Sequence, residues 1–127
     1  MLFSLLLVTL LAEAPQTPRG SPAPTFAEAA QLAEEGRDAA ALIAFQRLAA
    51  INPNDHQARV WIARLHERMG RPGVAEAVYR SVMLEDPANV DAVIGVGRTL
   101  LARHAADEAI EVLERAEALE PKSDIVL

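Results

Sequence analysis

A chain of 127 residues with 51% apolar side chains has room for one core and little reason to divide into two. Its formal charge of −6 at neutral pH, with Lys122 as its only lysine, argues against a nucleic-acid partner, because phosphate binding needs clustered cations that displace counterions. The absence of cysteine removes disulfides, thiolate catalysis, cysteine-ligated zinc and lipid attachment to an N-terminal cysteine.

Residues Leu2 to Ala12 are apolar except for Ser4 and Thr9. The stretch is about half the ~20 residues that a helix needs to cross a bilayer. It has the length of a secretory h-region, and Ala12-Glu13-Ala14 has the small-x-small form of a cleavage site, so residues 1–14 read as a signal-peptide-like segment and the protein as exported, periplasmic or secreted. No Lys or Arg precedes the apolar run and Pro15 follows the cut, which leaves an alternative: an uncleaved segment holding the protein at the membrane, its one route to membrane association. Residues 15–24 carry Pro15, Pro18, Pro22 and Pro24 with Gly20 and Ser21, a linker composition that keeps this N-terminal part disordered.

The folded domain spans 25–127. Thr25-Phe26-Ala27-Glu28 has the Thr-x-x-Glu form of a capping box, and six helices follow near 25–35, 38–51, 55–69, 73–85, 90–103 and 107–119. Gly36 and Gly70 fall where the first helix of a pair must stop in a left-handed backbone, which glycine adopts without steric cost. His104 holds that place in the third pair. The spacing therefore predicts that His104→Gly keeps the fold and raises thermal stability.

The organising feature is a period of 34 residues. Gly36 and Gly70 match, as do Ala41, Ala75 and Ala109, then Phe45, Tyr79 and Leu113, then Leu48, Val82 and Ala116, then Pro53, Pro87 and Pro121. Small residues at facing positions let antiparallel helices approach, the bulky residue one turn later fills the space beside them, and the proline ends the pair. In these residues the chain resembles the tetratricopeptide repeat over about residues 22 to 123. The resemblance implies an all-α, right-handed α-solenoid of three helix-turn-helix repeats, about 22–53, 54–87 and 88–121. It also implies a non-catalytic protein-interaction module, an adaptor or scaffold with a concave groove. Three positions depart from the family pattern: Arg59 stands in an aromatic column with Trp61 two residues on, which is expected to alter the local packing of the middle repeat and not the architecture, Glu28 replaces a leucine, and His104 replaces the turn glycine.

Residues 38–51 carry only Asp38 and Arg47 as charges, so this helix should be covered on several sides. The last helix has a solvated acidic face and an apolar stripe of Ile110, Val112, Leu113, Ala116 and Leu119. The tail Ile125-Val126-Leu127 or a second subunit, giving a homodimer, would cover that stripe. Self-assembly through this helix and tail is the alternative function.

No constellation for catalysis, a metal or a cofactor is visible. His56, His66 and His104 lie in different contexts, and Gly95-Val96-Gly97 lies inside a helical pattern with no strand before it, so it is not a phosphate loop. His66 shares a column with Leu32 and Leu100 and is expected to be a hydrogen-bonded core histidine. The resemblance assigns the groove to one face of the first helix of each pair. Across the repeats this face holds Phe26, Val60 and Ile94; Ala30, Arg64 and Arg98; Ala33, Glu67 and Leu101; Glu34, Arg68 and Ala102. The candidate site is Phe26, Val60, Arg64, Arg68, Ile94, Arg98 and Leu101, taking a protein or peptide that offers an apolar side chain and a carboxylate, since arginine grips carboxylates through two parallel hydrogen bonds. Members that clamp a C-terminal carboxylate use Lys and Asn as well; this face has neither, and the plainer alternative is that Arg64 and Arg68 simply pair with Glu67 and other helix carboxylates.

Overall fold

The computed structural model describes residues 21–120, and in them the chain forms six helices and no strand. They are α1 (Phe26–Glu34), α2 (Asp38–Ile51), α3 (His56–Arg68), α4 (Pro72–Glu85), α5 (Val90–Ala102) and α6 (Ala106–Leu119), each within two residues of its sequence-based bounds. The signal-like segment, its cleavage sequence, most of the linker and the tail Ile125–Leu127 lie outside the described residues.

Helix starts follow local chemistry. At α1 the Thr25 hydroxyl accepts from the Glu28 amide at 3.1 Å and the Glu28 carboxylate accepts from the Thr25 amide at 2.9 Å, which closes the capping box. This explains why a glutamate stands at position 28 in place of leucine. Asp55 and Asn89 cap α3 and α5 by accepting from Ala58 and Ala92. The second helix of each pair has no side-chain cap. It starts instead from the turn that ends the first.

That turn recurs three times with one hydrogen-bond pattern. Gly36, Gly70 and His104 have φ of 74°, 77° and 62°, and the next residue donates back to Leu32, His66 and Leu100 at 2.8 to 2.9 Å. The left-handed backbone at His104 is as the spacing predicts. His104→Gly should therefore keep the helical circular dichroism and raise the unfolding midpoint by a few degrees, since a side chain in this region costs about 1 kcal/mol. A clear fall would show that the His104 side chain supports the turn.

Each helix packs on its chain neighbours, and α3 also touches α5, the pattern of a solenoid. Two core clusters result, one around Ala29, Ala41, Phe45, Ile62 and Leu65, the other around Val60, Ala75, Tyr79, Val96 and Ala109. Ala41, Ala75 and Ala109 are fully buried at the helix crossings. Phe45 and Tyr79 are fully buried beside them, and Leu113 is half-buried because no described helix is stacked beyond it.

Two expectations about packing change. Among the described residues α2 is not covered on several sides: Ile43 and Ile51 are 60% and 65% exposed, because α2 belongs to the end repeat and packs chiefly on α1 and α3. Arg59 does not leave the middle repeat without an aromatic anchor. It pairs with Glu85 and Ser81, while the Trp61 ring lies flat on Phe45, with centroids 5.4 Å apart and planes 3° apart.

Candidate functional site

The groove face is carried by α1, α3 and α5. Phe26 is 38% exposed and meets Phe45 edge-on at 5.3 Å; Ile94 is half-buried and Leu101 is 49% exposed. Val60 is a correction. It is fully buried in the second core cluster, since α3 has a helix on both sides, and it supports the face without offering surface to a partner. The accessible apolar members are thus Phe26, Ile94 and Leu101.

All three arginines are engaged within the chain. Arg64 reaches Asp91 at 3.1 Å and lies over the Trp61 ring at 5.3 Å from its centroid. Arg68 pairs with Asp38 at 2.6 Å and donates to the Ala33 carbonyl at 2.8 Å. Arg98 pairs with Glu67 at 2.8 Å and donates to the Tyr79 hydroxyl at 3.1 Å, which itself donates to Glu67. Each arginine bridges two adjacent repeats. Arg64, Arg68 and Arg98 are matched in number on this face by Glu34, Glu67 and Asp91, so it is locally balanced on an acidic protein.

Sequence reasoning missed Asp38, Asp91, Trp61 and the Tyr79 hydroxyl as parts of this network. Tyr79 is phenolic where its column otherwise holds Phe45 and Leu113, and that difference was the available signal. Burial foremost, and then the Glu67 carboxylate, push the Tyr79 hydroxyl well above its ordinary value, so it stays protonated and remains a donor.

His66 is buried as expected, at 9% exposure, but its Nδ1 has no hydrogen-bond partner among the described residues. This corrects the expectation of a hydrogen-bonded core histidine: it stands in a column that Leu32 and Leu100 fill with apolar surface in the other repeats. Burial, and next the Arg71 charge, lower its pKa. The unfolded chain therefore takes up this proton first as pH falls. Stability that depends on neutral His66 is present above about pH 6.5 and is lost as pH drops below it. His66→Leu, copying Leu32 and Leu100, should raise the unfolding midpoint by roughly 5 °C at pH 7.5, because an unpaired buried polar atom costs about 1–3 kcal/mol. The gain should be larger at pH 5. Calorimetry at both values checks it, and an equal gain would remove the proton from the explanation.

Among the described residues, no group of three or more His, Asp or Glu could hold a metal ion, and no helix is long and apolar enough to cross a membrane.

Residues 68–126 match the family described as tetratricopeptide repeat. The first tetratricopeptide domain of Spaghetti (RPAP3), solved with the HSP90 peptide SRMEEVD, superposes with a TM-score of 0.72 at 19% identity, covering 76% of each chain. TTC0263, a thermophilic protein of Thermus thermophilus, gives 0.69 at 25% identity over 75% of this chain and 55% of its own. YrrB, described as having an unusual peptide-binding site, gives 0.69 at 26% identity over 74% of this chain and 48% of its own. This chain spans about half the length of those two proteins. No curated protein sequence matches it. The six helices are three tetratricopeptide-type repeats, and the fold is that of a tetratricopeptide solenoid.

Proposed function

We propose that this chain is a non-catalytic protein-interaction module that binds an extended peptide, or a segment of a partner subunit, along the face of α1, α3 and α5. The observation that carries the reading is the arrangement of this face. Exposed Phe26 and Leu101 and half-buried Ile94 run beside three arginines that are already held in place by bridges between repeats. Such a face is preorganised, so a ligand does not have to order it on binding. The solved relative with a bound HSP90 peptide has the same fold, which supports peptide binding as the use of this one.

The internal pairing changes what the arginines do. A ligand carboxylate would have to displace Asp91 from Arg64 or Glu67 from Arg98, so the apolar side chains supply most of the affinity and the arginines fix register. Placement outside the cytoplasm is part of the proposal and rests on the composition of residues 1–14 alone.

The test uses the full chain as bait for a displayed peptide library, beside an Arg64→Glu, Arg98→Glu variant and an Ile94→Asp variant. Peptides selected by the natural chain should be lost by both variants while circular dichroism stays helical. Undiminished capture by both would sink the groove assignment.

A further inference from the structure

The arginines of the groove face are charge-matched before any ligand arrives. Arg64, Arg68 and Arg98 hold the carboxylates of Asp91, Asp38 and Glu67 at 3.1, 2.6 and 2.8 Å, so the three pairs sum to no net charge. Their heads are still within reach of a ligand, since the three arginine side chains are 33%, 41% and 50% exposed. A guanidinium carries five N–H donors, and a bidentate carboxylate takes two of them. At Arg98, Nε and one terminal nitrogen serve Glu67, and the same terminal nitrogen donates to the Tyr79 hydroxyl. At Arg64 and at Arg68 these contacts run through a single terminal nitrogen. The other terminal nitrogen of each arginine, with two N–H groups, takes part in none of them.

Such a head has donors to give and no charge left to neutralise. A second carboxylate would gain little from a paired guanidinium and would meet the resident carboxylate at close range. A backbone carbonyl accepts the same N–H without bringing a like charge, and it is far cheaper to strip of water than a carboxylate. Arg68 shows the combination within this chain: while paired with Asp38 it also donates to the Ala33 carbonyl at 2.8 Å. The accessible side chains beside these heads, Phe26 and Ile94, are apolar and favour an apolar neighbour.

We propose that the ligand of this face is an extended, apolar segment without acidic side chains, its backbone carbonyls gripped by Arg64 and Arg98, and that Asp91 and Glu67 set this selectivity by neutralising the two arginines. The inference rests on the peptide-binding reading above and narrows it: the arginines hold the segment's backbone, and the resident carboxylates turn acidic segments away.

Peptides captured by the full chain from the displayed library supply the probe. One captured sequence, synthesised with both ends capped, is compared with copies in which each residue outside the apolar anchors is replaced in turn by glutamine or by glutamate. Binding is read by fluorescence anisotropy at about 50 and about 500 mM salt. Against the natural chain, the glutamate copies nearest the arginines should bind roughly fivefold more weakly than their glutamine counterparts, and the uncharged peptide should keep its affinity at both salt levels. Glu67→Gln retains the shape of the side chain and leaves the charge of Arg98 unmatched. In that variant at least one glutamate copy should bind roughly fivefold more tightly than its glutamine counterpart and lose the advantage at the higher salt. Asp91→Asn should do the same for Arg64, at an exposed position where the fold is not at stake.

Captured sequences enriched in Asp or Glu, glutamate copies that bind the natural chain as well as their glutamine counterparts, or an unchanged preference in both variants overturn this inference while peptide binding stands. Capture of no peptide at all, or capture that the groove variants leave intact, overturns the groove reading and this inference with it.

Discussion

Phe45→Ala lowers the unfolding midpoint by roughly 15–25 °C, because truncating a fully buried phenylalanine costs about 4 kcal/mol and each kcal/mol moves a domain of this size by about 4–8 °C. The cost is concentrated here because the ring serves two partners at once. Phe26 meets its edge from the first repeat and Trp61 lies flat on it from the second. Arg64 in turn lies over Trp61, so the loss carries through to the groove face. Trp61 is the only tryptophan in the chain, which gives a direct readout: its emission should shift to the red in the folded variant as the ring loses its cover. Phe45→Leu, which copies Leu113 in the same column, should recover more than half of the midpoint. A fall of only a few degrees in the alanine variant would mean that the aromatic stack is not what joins the first repeat to the second.

This stack illustrates what the sequence carries and what it leaves to the assembled fold. The period of 34, the turn residues, the capping box and the left-handed place of His104 depend on local chemistry, and the helices lie within two residues of where those signals put them. Burial on the groove face depends on neighbours. Phe26, Val60 and Ile94 share a column, yet Val60 is fully buried because α3 belongs to the middle repeat, which has a repeat on each side. The ion pairs depend on neighbours too. Arg98 reaches back 31 residues to Glu67, but the residue 31 before Arg64 is Ala33, so Arg64 turns forward to Asp91. A column written across repeats gives the face of a side chain; its partner follows only when the adjacent columns are placed beside it. The same holds for α2, whose apolar composition suggests cover that an end repeat does not receive.

Gly95→Val should cost about 3 kcal/mol, a fall of roughly 10–20 °C, because overpacking a rigid buried ring is destabilising and nothing nearby can give way. The reason lies in how the two junctions between repeats are filled. At the first, Trp61 offers a flat surface to Phe45. At the second, the residue in the Trp61 column is Gly95, and the Tyr79 ring occupies the space its side chain would need: a Cβ there would lie 2.4 to 2.5 Å from three atoms of the ring. Tyr79 cannot swing aside, since it is fully buried and its hydroxyl is held by Glu67 and Arg98. Gly95→Ala should also destabilise, by about 1–2 kcal/mol, because the clash exceeds the gain of about 1 kcal/mol in helix propensity. Gly73→Ala, with nothing within 4 Å and an ordinary backbone, should be neutral or stabilising. A cycle separates the clash from the propensity. In a Tyr79→Ala background the penalty of Gly95→Ala should shrink or change sign, since alanine removes the ring atoms that occupy the space over the glycine. If the penalty persists without the ring, the close approach of Tyr79 is not the reason for glycine at position 95.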